Sequence, residues 1–254
     1  MQPEDVARAA AILFSARQNL RPITDLPPAL QPQTIVDAYA IQDAVVAMQG
    51  PIAGWKLGMP AASADQRCAP VAAPYVFASP ADSMSGALLI APEIEVEIAV
   101  RFARDLPPRE APYTAVDVEA AIGSVHPALE ILSSRYVNRR AVAPLSVVAD
   151  GQSNGAIICG AAVHEWRGLE LATIAMNLTF DGVAVGSATG EASTAQVLGA
   201  LAWLANHVAA RAGGLRSGQV VITGARISPL PVPPGGATVT ADLAGIATLS
   251  ATFR

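Results

Sequence analysis

In the segment EIEVEIAV, residues 93–100, three glutamates alternate with the apolar residues Ile94, Val96, Ile98 and Val100. Successive side chains of a β-strand point to opposite faces of the sheet, so a period of two predicts a strand with one apolar face. The acidic side chains share the other face, and they are Glu93, Glu95 and Glu97. The sheet that contains this strand must therefore have an apolar core on one face and a row of carboxylates on the other.

Carboxylates at alternate positions of one strand lie close together. Residues two apart are roughly 6.6 Å apart, and like charges at that distance disfavour each other's ionisation unless a cation or solvent intervenes. One interpretation is an amphipathic edge strand whose glutamates are solvated. The other is a bound cation, which Glu130 favours because it lies in HPALEI between apolar residues, where an ionised group rarely lacks a partner.

Glu95, Glu97 and Glu130 have no His or Cys close to them in the sequence. Such an all-oxygen set suits magnesium, manganese or calcium and argues against zinc or copper. Three protein ligands leave coordination positions open for water and a substrate. The two cysteines, Cys68 and Cys159, are too far apart in sequence to indicate a disulfide framework or a zinc site, and we expect both thiols to be reduced and buried.

The first 50 residues have a helical pattern, and a second helix is expected to begin near Thr34. The first helix carries an apolar stripe made of Val6, Ala10, Leu13 and Phe14. From about Ser79 the apolar period shortens to two and turn signals recur. We therefore predict an α+β chain, with a small N-terminal helical or α+β region at 1–78 and a strand-rich domain at 79–254 that forms a roll or barrel.

Local signals within the second region are specific. Asp181-Gly182 between two apolar runs predicts a hairpin with a type I′ turn, because this pair tolerates positive φ angles. From Ser193 to Arg211 apolar residues recur at helical spacing, with Ser193 as the cap and Gly213 as the stop. The stretches QVVITG, ATVTADL and GIATLSATF predict three final strands, with PVPPGG as a turn.

Composition excludes several classes of function. The net charge is −5 and Arg139-Arg140 is the only cluster of basic residues, which argues against nucleic acid as a partner. The N-terminus has no basic segment before its apolar stretch, so we do not expect a secretory signal. No apolar run approaches the roughly 20 residues of a membrane span, so we expect no membrane partner and a cytoplasmic location.

Six short motifs occur in order along nearly the whole chain. They are DAYAIQ at 37–42, GWKLG at 54–58, IEVEIAV at 94–100, PALEI with SSR at 127–135, VVADGQSNG at 147–155 and VITGA at 221–225. Together they resemble the hydratase and decarboxylase branch of the fumarylacetoacetase-like superfamily, whose members act in aromatic catabolism. The resemblance implies a fumarylacetoacetase-type mixed β-roll or barrel with flanking helices, preceded by the small N-terminal region.

The resemblance also assigns residues to roles. It implies that Glu95, Glu97 and Glu130 bind the metal, which it identifies as magnesium or manganese. It implies that Lys56 and Ser153 are catalytic and contact a bound 2-oxo acid. Leu57 and Thr223 are implied further substrate contacts. The alternative interpretations are a surface lysine for Lys56 and a turn residue for Ser153. The glycines on either side of Trp55, Lys56 and Leu57 favour a turn of close approach over a surface lysine.

Three positions depart from the family pattern. Ala72 and Ala73 stand where relatives carry an acidic residue, STAQ around Thr194 replaces an LGHP turn, and Gly151 replaces an asparagine. The base that activates water is therefore open, with Glu130 acting through a metal-bound water and Asp65 as candidates. Asp150 is expected to be structural, through turn hydrogen bonds.

The implied activity is that of a metal-dependent lyase. The first expectation is hydration of 2-hydroxypenta-2,4-dienoate, because a metal that chelates a 2-oxo acid stabilises its enolate. The alternatives are decarboxylation of a 4-oxalocrotonate-type substrate, hydrolysis of an acylpyruvate, and binding of a 2-oxo acid without turnover. The partner is expected to be this small molecule, and the chain is expected to form a homo-oligomer. The histidines lie in no recognisable nucleophile motif, so covalent catalysis is not predicted.

Overall fold

Residues 1–58, 66–84 and 89–254 are described by the computed structural model of the chain. They form five α-helices: α1 Pro3–Gln18, α2 Ile35–Gln49, α3 Ala115–Ala121, α4 Pro144–Ala149 and α5 Thr194–Ala212. They also form thirteen strands: β1 Ile52–Leu57, β2 Cys68–Ala72, β3 Val76–Ala78, β4 Ala81–Met84, β5 Glu93–Phe102, β6 Ile122–Leu132, β7 Asn154–Cys159, β8 Ala175–Phe180, β9 Val183–Thr189, β10 Val220–Ile222, β11 Ile227–Pro231, β12 Ala237–Leu243 and β13 Ala247–Phe253. The predicted α+β class is confirmed.

The larger sheet is mixed and has β5 and β6 at its centre. Its order is β2-β1-β10-β5-β6-β7-β3, and β11 pairs with the part of β5 that β10 leaves open. The pairings β1–β10 and β3–β7 are parallel, whereas β5–β6 is antiparallel over the whole of β5. Because β5 has neighbours on both sides, the interpretation of residues 93–100 as a solvated edge strand is wrong.

The smaller sheet has the order β4-β13-β12-β8-β9 and packs against one face of the larger sheet. Leu129 and Ile131 of β6 share one buried apolar cluster with Val239 of β12 and Leu249 of β13. Helix α5 adds Leu201 and Leu204 to the same cluster, among other residues. This two-sheet arrangement with helices around it matches the mixed roll that was predicted.

The predicted hairpin and long helix are both confirmed. Asp181 and Gly182 have φ angles of 50° and 80°, as a type I′ turn requires, and Phe180 pairs with Val183. Helix α5 begins after Ser193, whose side chain accepts a hydrogen bond from the Gln196 amide, and ends at Gly213 with a φ of 70°.

The C-terminal prediction was incomplete. The three expected strands correspond to β10, β12 and β13, but β11 is an additional strand and overlaps the start of the predicted PVPPGG turn. The sequence did not indicate this strand because it contains Pro229 and Pro231. Proline lacks the amide hydrogen that a strand inside a sheet donates to its neighbour. Among the described strands β11 pairs with β5 alone, with a register shift between Ile227 and Leu230, and this pairing tolerates both prolines.

Helices α1, α2 and α4 form a separate small apolar cluster beside the sheets. Ala10 and Leu13 of α1 pack there with Ile41 of α2, and Thr34 caps α2 through the Asp37 amide. The chain then enters β1, β2 and β3, which belong to the same large sheet as β5–β7. Strands from both predicted regions, 1–78 and 79–254, thus belong to one sheet. The division of the chain into these two domains remains a proposal. Within the ranges that the structure describes, no helix combines the length and apolarity needed to span a bilayer.

Arg17 connects α1 to the start of β7. It is buried, its Nη1 donates to the carbonyl oxygen of Asn154 at 3.0 Å and its Nη2 to that of Gly155, and its guanidinium lies 3.6 Å from the centre of the Tyr75 ring. Burial, together with nearby Arg135, lowers the pKa of Arg17 to about 10. The N-terminal helix is therefore held to the sheet by buried polar contacts as well as by apolar packing.

Arg17→Met should destabilise the chain by about 2 to 3 kcal/mol, because it leaves a buried carbonyl oxygen without a donor. The free energy of unfolding would be measured in urea. Arg8→Met is the matched control, since Arg8 lies on the same helix with an exposed side chain paired to Asp5, and it should change stability by no more than about 0.5 kcal/mol. Equal effects of the two substitutions would contradict this role for Arg17.

Candidate metal and substrate site

The three predicted metal ligands lie together on the central pair of strands. In the antiparallel register Glu95 faces Glu130, and Glu97 faces Ala128. One carboxylate oxygen from each glutamate lies within 4.8 Å of the others. Glu97 and Glu130 are each 1% exposed, whereas Glu95 is half-buried. The structure therefore brings together the trio that the sequence predicted.

The period of two along β5 explains this placement. Ile94, Val96 and Ile98 enter the main apolar cluster on one face of the sheet, so Glu95 and Glu97 lie on the other. Glu93 follows the same alternation but lies outside the trio, because its carboxylate pairs with Arg139.

Lys56 supplies the positive charge nearest to these carboxylates. Its Nζ lies 2.7 Å from Oε1 of Glu130 and donates to the carbonyl oxygen of Gln152 at 3.2 Å. It comes from β1, where Trp55 and Leu57 point into the main cluster and Lys56 points away from it. Lys56 is also the only lysine in the sequence, in which every other basic side chain is arginine or histidine.

Burial dominates the electrostatics of the site. It raises the pKa of each of Glu95, Glu97 and Glu130 to about 7, and repulsion between neighbouring carboxylates contributes. Burial lowers the pKa of Lys56, but Glu130, Glu95 and Glu97 outweigh it, so the pKa lies above the ordinary value. In the metal-free chain these carboxylates therefore favour the protonated, cationic form of Lys56.

The residues present fit a divalent ion. Oε2 of Glu130 is buried and has no hydrogen-bond partner among the described residues, although an ionised oxygen in that position needs one. Oε2 of Glu97 accepts a hydrogen bond from the Gly224 amide at 2.6 Å, which fixes that carboxylate in place. Three carboxylates converge here while Lys56 contacts only one of them, and their oxygens are the ligands that magnesium and manganese prefer.

An open cavity of about 470 Å³ lies beside the trio. Lys56, Glu95, Gln152 and Ser153 line it, so two of the predicted catalytic residues and one predicted ligand share one space. The remaining lining is apolar or basic and consists of Arg67, Leu132, Arg139, Arg140, Val142, Pro144, Val147 and Val148. A small acid with a hydrocarbon chain is complementary to this lining, because its carboxylate suits the basic residues and its chain suits the apolar ones.

Ser153 lies in a strained turn. Gly151, Gln152 and Ser153 have successive φ angles of 61°, 54° and 63°, a region that costs a residue with a side chain on the order of 1 kcal/mol or more. The Ser153 hydroxyl is buried and has no hydrogen-bond partner within the described ranges. Strain and an unused hydroxyl at a cavity wall are typical of a site that binds a ligand.

Asp150 and Arg135 hold this turn, as was expected of Asp150. The buried Asp150 carboxylate forms an ion pair with Arg135 and accepts hydrogen bonds from the Ser134 hydroxyl at 3.0 Å and the Arg135 amide at 3.2 Å. Nη1 of Arg135 also donates to the carbonyl oxygen of Asn154 at 2.5 Å. The pair therefore fixes both ends of the turn that carries Ser153.

Two predicted substrate contacts do not line the cavity. Leu57 is fully buried in the main cluster, and Thr223 is fully buried with its hydroxyl donating to the carbonyl oxygen of Ile98 at 2.8 Å. Their contact with substrate stays a prediction. The structure shows another contact of Thr223. Its carbonyl oxygen accepts a hydrogen bond from Nη1 of the buried Arg226 at 2.6 Å.

Sequence reasoning missed Gln152 and Arg226. Gln152 lies beside Ser153 and was hidden in a turn motif. Arg226 is buried near Glu97, and its charge lowers the pKa of that carboxyl group against the larger effect of burial. The signal for Arg226 was a lone arginine in an apolar stretch directly after VITGA.

The alanines that depart from the family pattern leave no carboxylate in their place. Ala72 is buried in β2 and Ala73 follows it in an exposed turn. Among the described residues that line the cavity, Glu95 is the only acid. Asp65, one of the two candidate bases, lies outside the described residues.

Comparison with known proteins agrees with this geometry. A family model described as the fumarylacetoacetate (FAA) hydrolase C-terminal domain matches residues 43–254. The chain belongs to the fumarylacetoacetate hydrolase family. The match begins inside α2 and includes Lys56, the acidic trio and Ser153.

Curated relatives within this family carry hydratase names. The chain is 29% identical over 246 residues to a 2-keto-4-pentenoate hydratase of Paraburkholderia xenovorans, covering 92% of this chain and 90% of that protein. It is 31% identical over 255 residues to a 2-keto-4-pentenoate hydratase of Paraburkholderia phymatum, covering 96% and 95%.

A solved structure in the family has the same fold over its full length. The 4-oxalocrotonate decarboxylase from Pseudomonas putida G7, complexed with magnesium and adipate, is 27% identical and superposes with a TM-score of 0.87. The alignment covers 100% of this chain and 99% of that one.

The buried trio should make the metal-free protein less stable as pH rises. The pKa of each carboxyl group is about 7 in the folded chain and lies near 4.5 when exposed, so between these values the folded state binds more protons than the unfolded state. The urea midpoint of chelator-treated protein should therefore fall from about pH 5 to about pH 8, and magnesium should reverse the fall.

Glu97→Gln is the control for this pH dependence, since it removes one titrating group and keeps the shape of the side chain. The fall in the urea midpoint should be smaller in Glu97→Gln than in wild type. A rising midpoint in the wild-type protein across the same range would contradict the assignment.

Proposed function

We propose that the chain is a divalent-metal-dependent lyase that hydrates a small 2-hydroxydienoic acid of the 2-hydroxypenta-2,4-dienoate type. The observation that carries this proposal is the buried trio Glu95, Glu97 and Glu130 beside Lys56 at the wall of a cavity of suitable size. The hydratase names of the relatives support the same reaction class.

In this proposal the three glutamates hold magnesium or manganese through carboxylate oxygens. When bound, the ion supplies Lewis acidity to the carboxylate and 2-oxygen of a 2-oxo acid. Lys56, which pairs with Glu130, holds the substrate carboxylate or assists proton transfer. The Ser153 hydroxyl, which has no other partner in the described ranges, supplies a hydrogen bond at the cavity wall. The candidates for the water-activating base are Glu130, acting through a metal-bound water, and Asp65.

Decarboxylation is the second candidate. The full-length likeness to a 4-oxalocrotonate decarboxylase that holds magnesium and adipate supports it. A metal ion held by the trio would supply the same Lewis acidity to either reaction. The proposed setting for either reaction is aromatic catabolism in the cytoplasm by a homo-oligomer. A gel-filtration mass equal to one chain would count against the oligomer.

The first test follows the ultraviolet absorbance of 2-hydroxypenta-2,4-dienoate with chelator-stripped protein, with and without magnesium or manganese. Metal-dependent loss with 4-hydroxy-2-oxopentanoate as product is the expected result. Glu130→Gln should lower the rate by roughly a hundredfold or more. Glu119→Gln should leave it unchanged, because Glu119 is partly exposed, lies outside the cavity and pairs only loosely with Arg167 at 3.9 Å.

The outcomes separate the candidate reactions. Release of carbon dioxide from a 4-oxalocrotonate-type substrate, without hydration of the monocarboxylate, would move the assignment to the decarboxylase. Binding of oxalate with magnesium but no turnover of either substrate would indicate a non-catalytic binder. Wild-type turnover by Lys56→Ala would contradict the role given to Lys56.

The single lysine allows a test of metal position that needs no turnover. Protein labelled with [13C]lysine should give one set of lysine signals, all from Lys56. Manganese should broaden this signal strongly because of its unpaired electrons, whereas magnesium should shift it without broadening. In Glu97→Gln the broadening should require a higher manganese concentration. A signal that stays sharp at saturating manganese would place the ion elsewhere.

A further inference from the structure

Arg226 is a buried cation close to the trio that the proposed reaction does not use. It is 6% exposed, and its Nε and Nη2 have no hydrogen-bond partner among the described residues. It forms no ion pair in the parts of the chain that the structure describes, whereas Lys56 pairs with Glu130 and Arg139 pairs with Glu93. Burying an unpaired guanidinium is costly, so the position of Arg226 requires another explanation.

The hydrogen bonds of the Arg226 side chain are with the turn that precedes it. Nη1 donates to the Thr223 carbonyl oxygen at 2.6 Å and to the Thr223 hydroxyl at 3.2 Å. The same nitrogen also donates to the Gly224 carbonyl oxygen. One nitrogen of the guanidinium therefore ties together two successive residues of this turn.

This turn lies opposite a predicted metal ligand. Strand β10 pairs with residues 99–101 of β5, and β11 pairs with residues 93–96, so Glu97 faces the gap between the two strands. Residues 223–226 fill that gap and belong to neither strand. Because this segment lies outside both strands, its conformation depends on local contacts such as those of Arg226.

Gly224 links the turn to Glu97. Its amide donates to Oε2 of Glu97 at 2.6 Å, and its carbonyl oxygen accepts from Arg226. Its φ angle of 94° is one that residues with a side chain rarely adopt, so the turn depends on glycine at this position. A shift of the turn would move the amide away from Glu97 and release that carboxylate.

We propose that Arg226 is a positioning residue for the metal ion: it fixes the turn at Thr223 and Gly224 so that the Gly224 amide orients the Glu97 carboxylate for coordination. Hydrogen-bonding partners behind metal ligands typically contribute roughly ten- to a hundredfold to metal affinity. The inference rests on the proposed function, since it assumes that a divalent ion binds at the trio. It applies to hydration and decarboxylation alike, because Arg226 acts through Glu97 and does not line the cavity.

Manganese binding tests the proposal without turnover. Chelator-stripped protein would be titrated with manganese, and the free ion would be measured by its electron paramagnetic resonance signal. Arg226→Met removes the donors and keeps an unbranched side chain, so it should raise the dissociation constant about tenfold or more. Arg226→Lys should raise it by a smaller factor, because an ammonium group keeps the charge and replaces only part of the planar guanidinium fork.

Arg17→Met is the matched control. Arg17 is also buried and donates to the carbonyl oxygens of two successive residues, Asn154 and Gly155, but these belong to β7 and not to the turn that bonds Glu97. Arg17→Met should therefore lower the urea midpoint and leave the dissociation constant for manganese at the wild-type value. Equal losses of manganese affinity in the two methionine variants would show that general destabilisation is the cause, and Arg226 would lose the role.

The results separate this inference from the function on which it rests. Unchanged or tighter manganese binding in Arg226→Met would overturn the positioning role and leave the proposed function in place. No binding of manganese or magnesium by the wild-type chain would overturn both. If Arg226→Met does not fold, Arg226→Lys decides, and a wild-type dissociation constant in the folded lysine variant would overturn the proposal.

Discussion

The burial of three carboxylates around one ammonium group is the constraint on which the rest of the structure depends. Removing a carboxylate from water is expensive unless a partner replaces the solvent. Here Lys56 and the Gly224 amide replace only part of it, since Oε2 of Glu130 has no partner among the described residues. The fold thus buries a cluster of carboxylates whose charge is only partly compensated, and apolar packing on the opposite face of β5 keeps this cluster buried.

That packing explains why the surrounding elements are where they are. The trio requires β5 and β6 to be central and antiparallel, which needs β10 and β11 to cover the other edge of β5. It also requires the turn before β7 to approach Lys56, whose Nζ bonds the Gln152 carbonyl oxygen. Three successive positive φ angles make this approach possible, and the buried pair Arg135 and Asp150 compensates for their strain.

The sequence predicted the parts of this arrangement that follow from local periodicity. Alternation placed Glu95 and Glu97 on one face, the Asp-Gly pair set the hairpin, and Ser193 and Gly213 bounded α5. The family resemblance separated Glu93 from the trio. Alternation alone did not, because the ion pair of Glu93 depends on Arg139, 46 residues away. For the same reason Gln152 and Arg226 were missed. Strand β11 was missed because its prolines are tolerated only by the particular pairing that it adopts.

The difference between local pattern and long-range contacts also bears on which reaction the site performs. The trio and Lys56 are a general device for stabilising an enolate and do not by themselves select hydration over loss of carbon dioxide. Selection must come from groups that contact the rest of the substrate, namely the Ser153 hydroxyl and the charged side chains at the cavity wall. Ala72 and Ala73 supply no ionisable side chain for proton transfer. The side chains that line the cavity around Lys56 and Glu95 are therefore where we expect selection between the two reactions to arise.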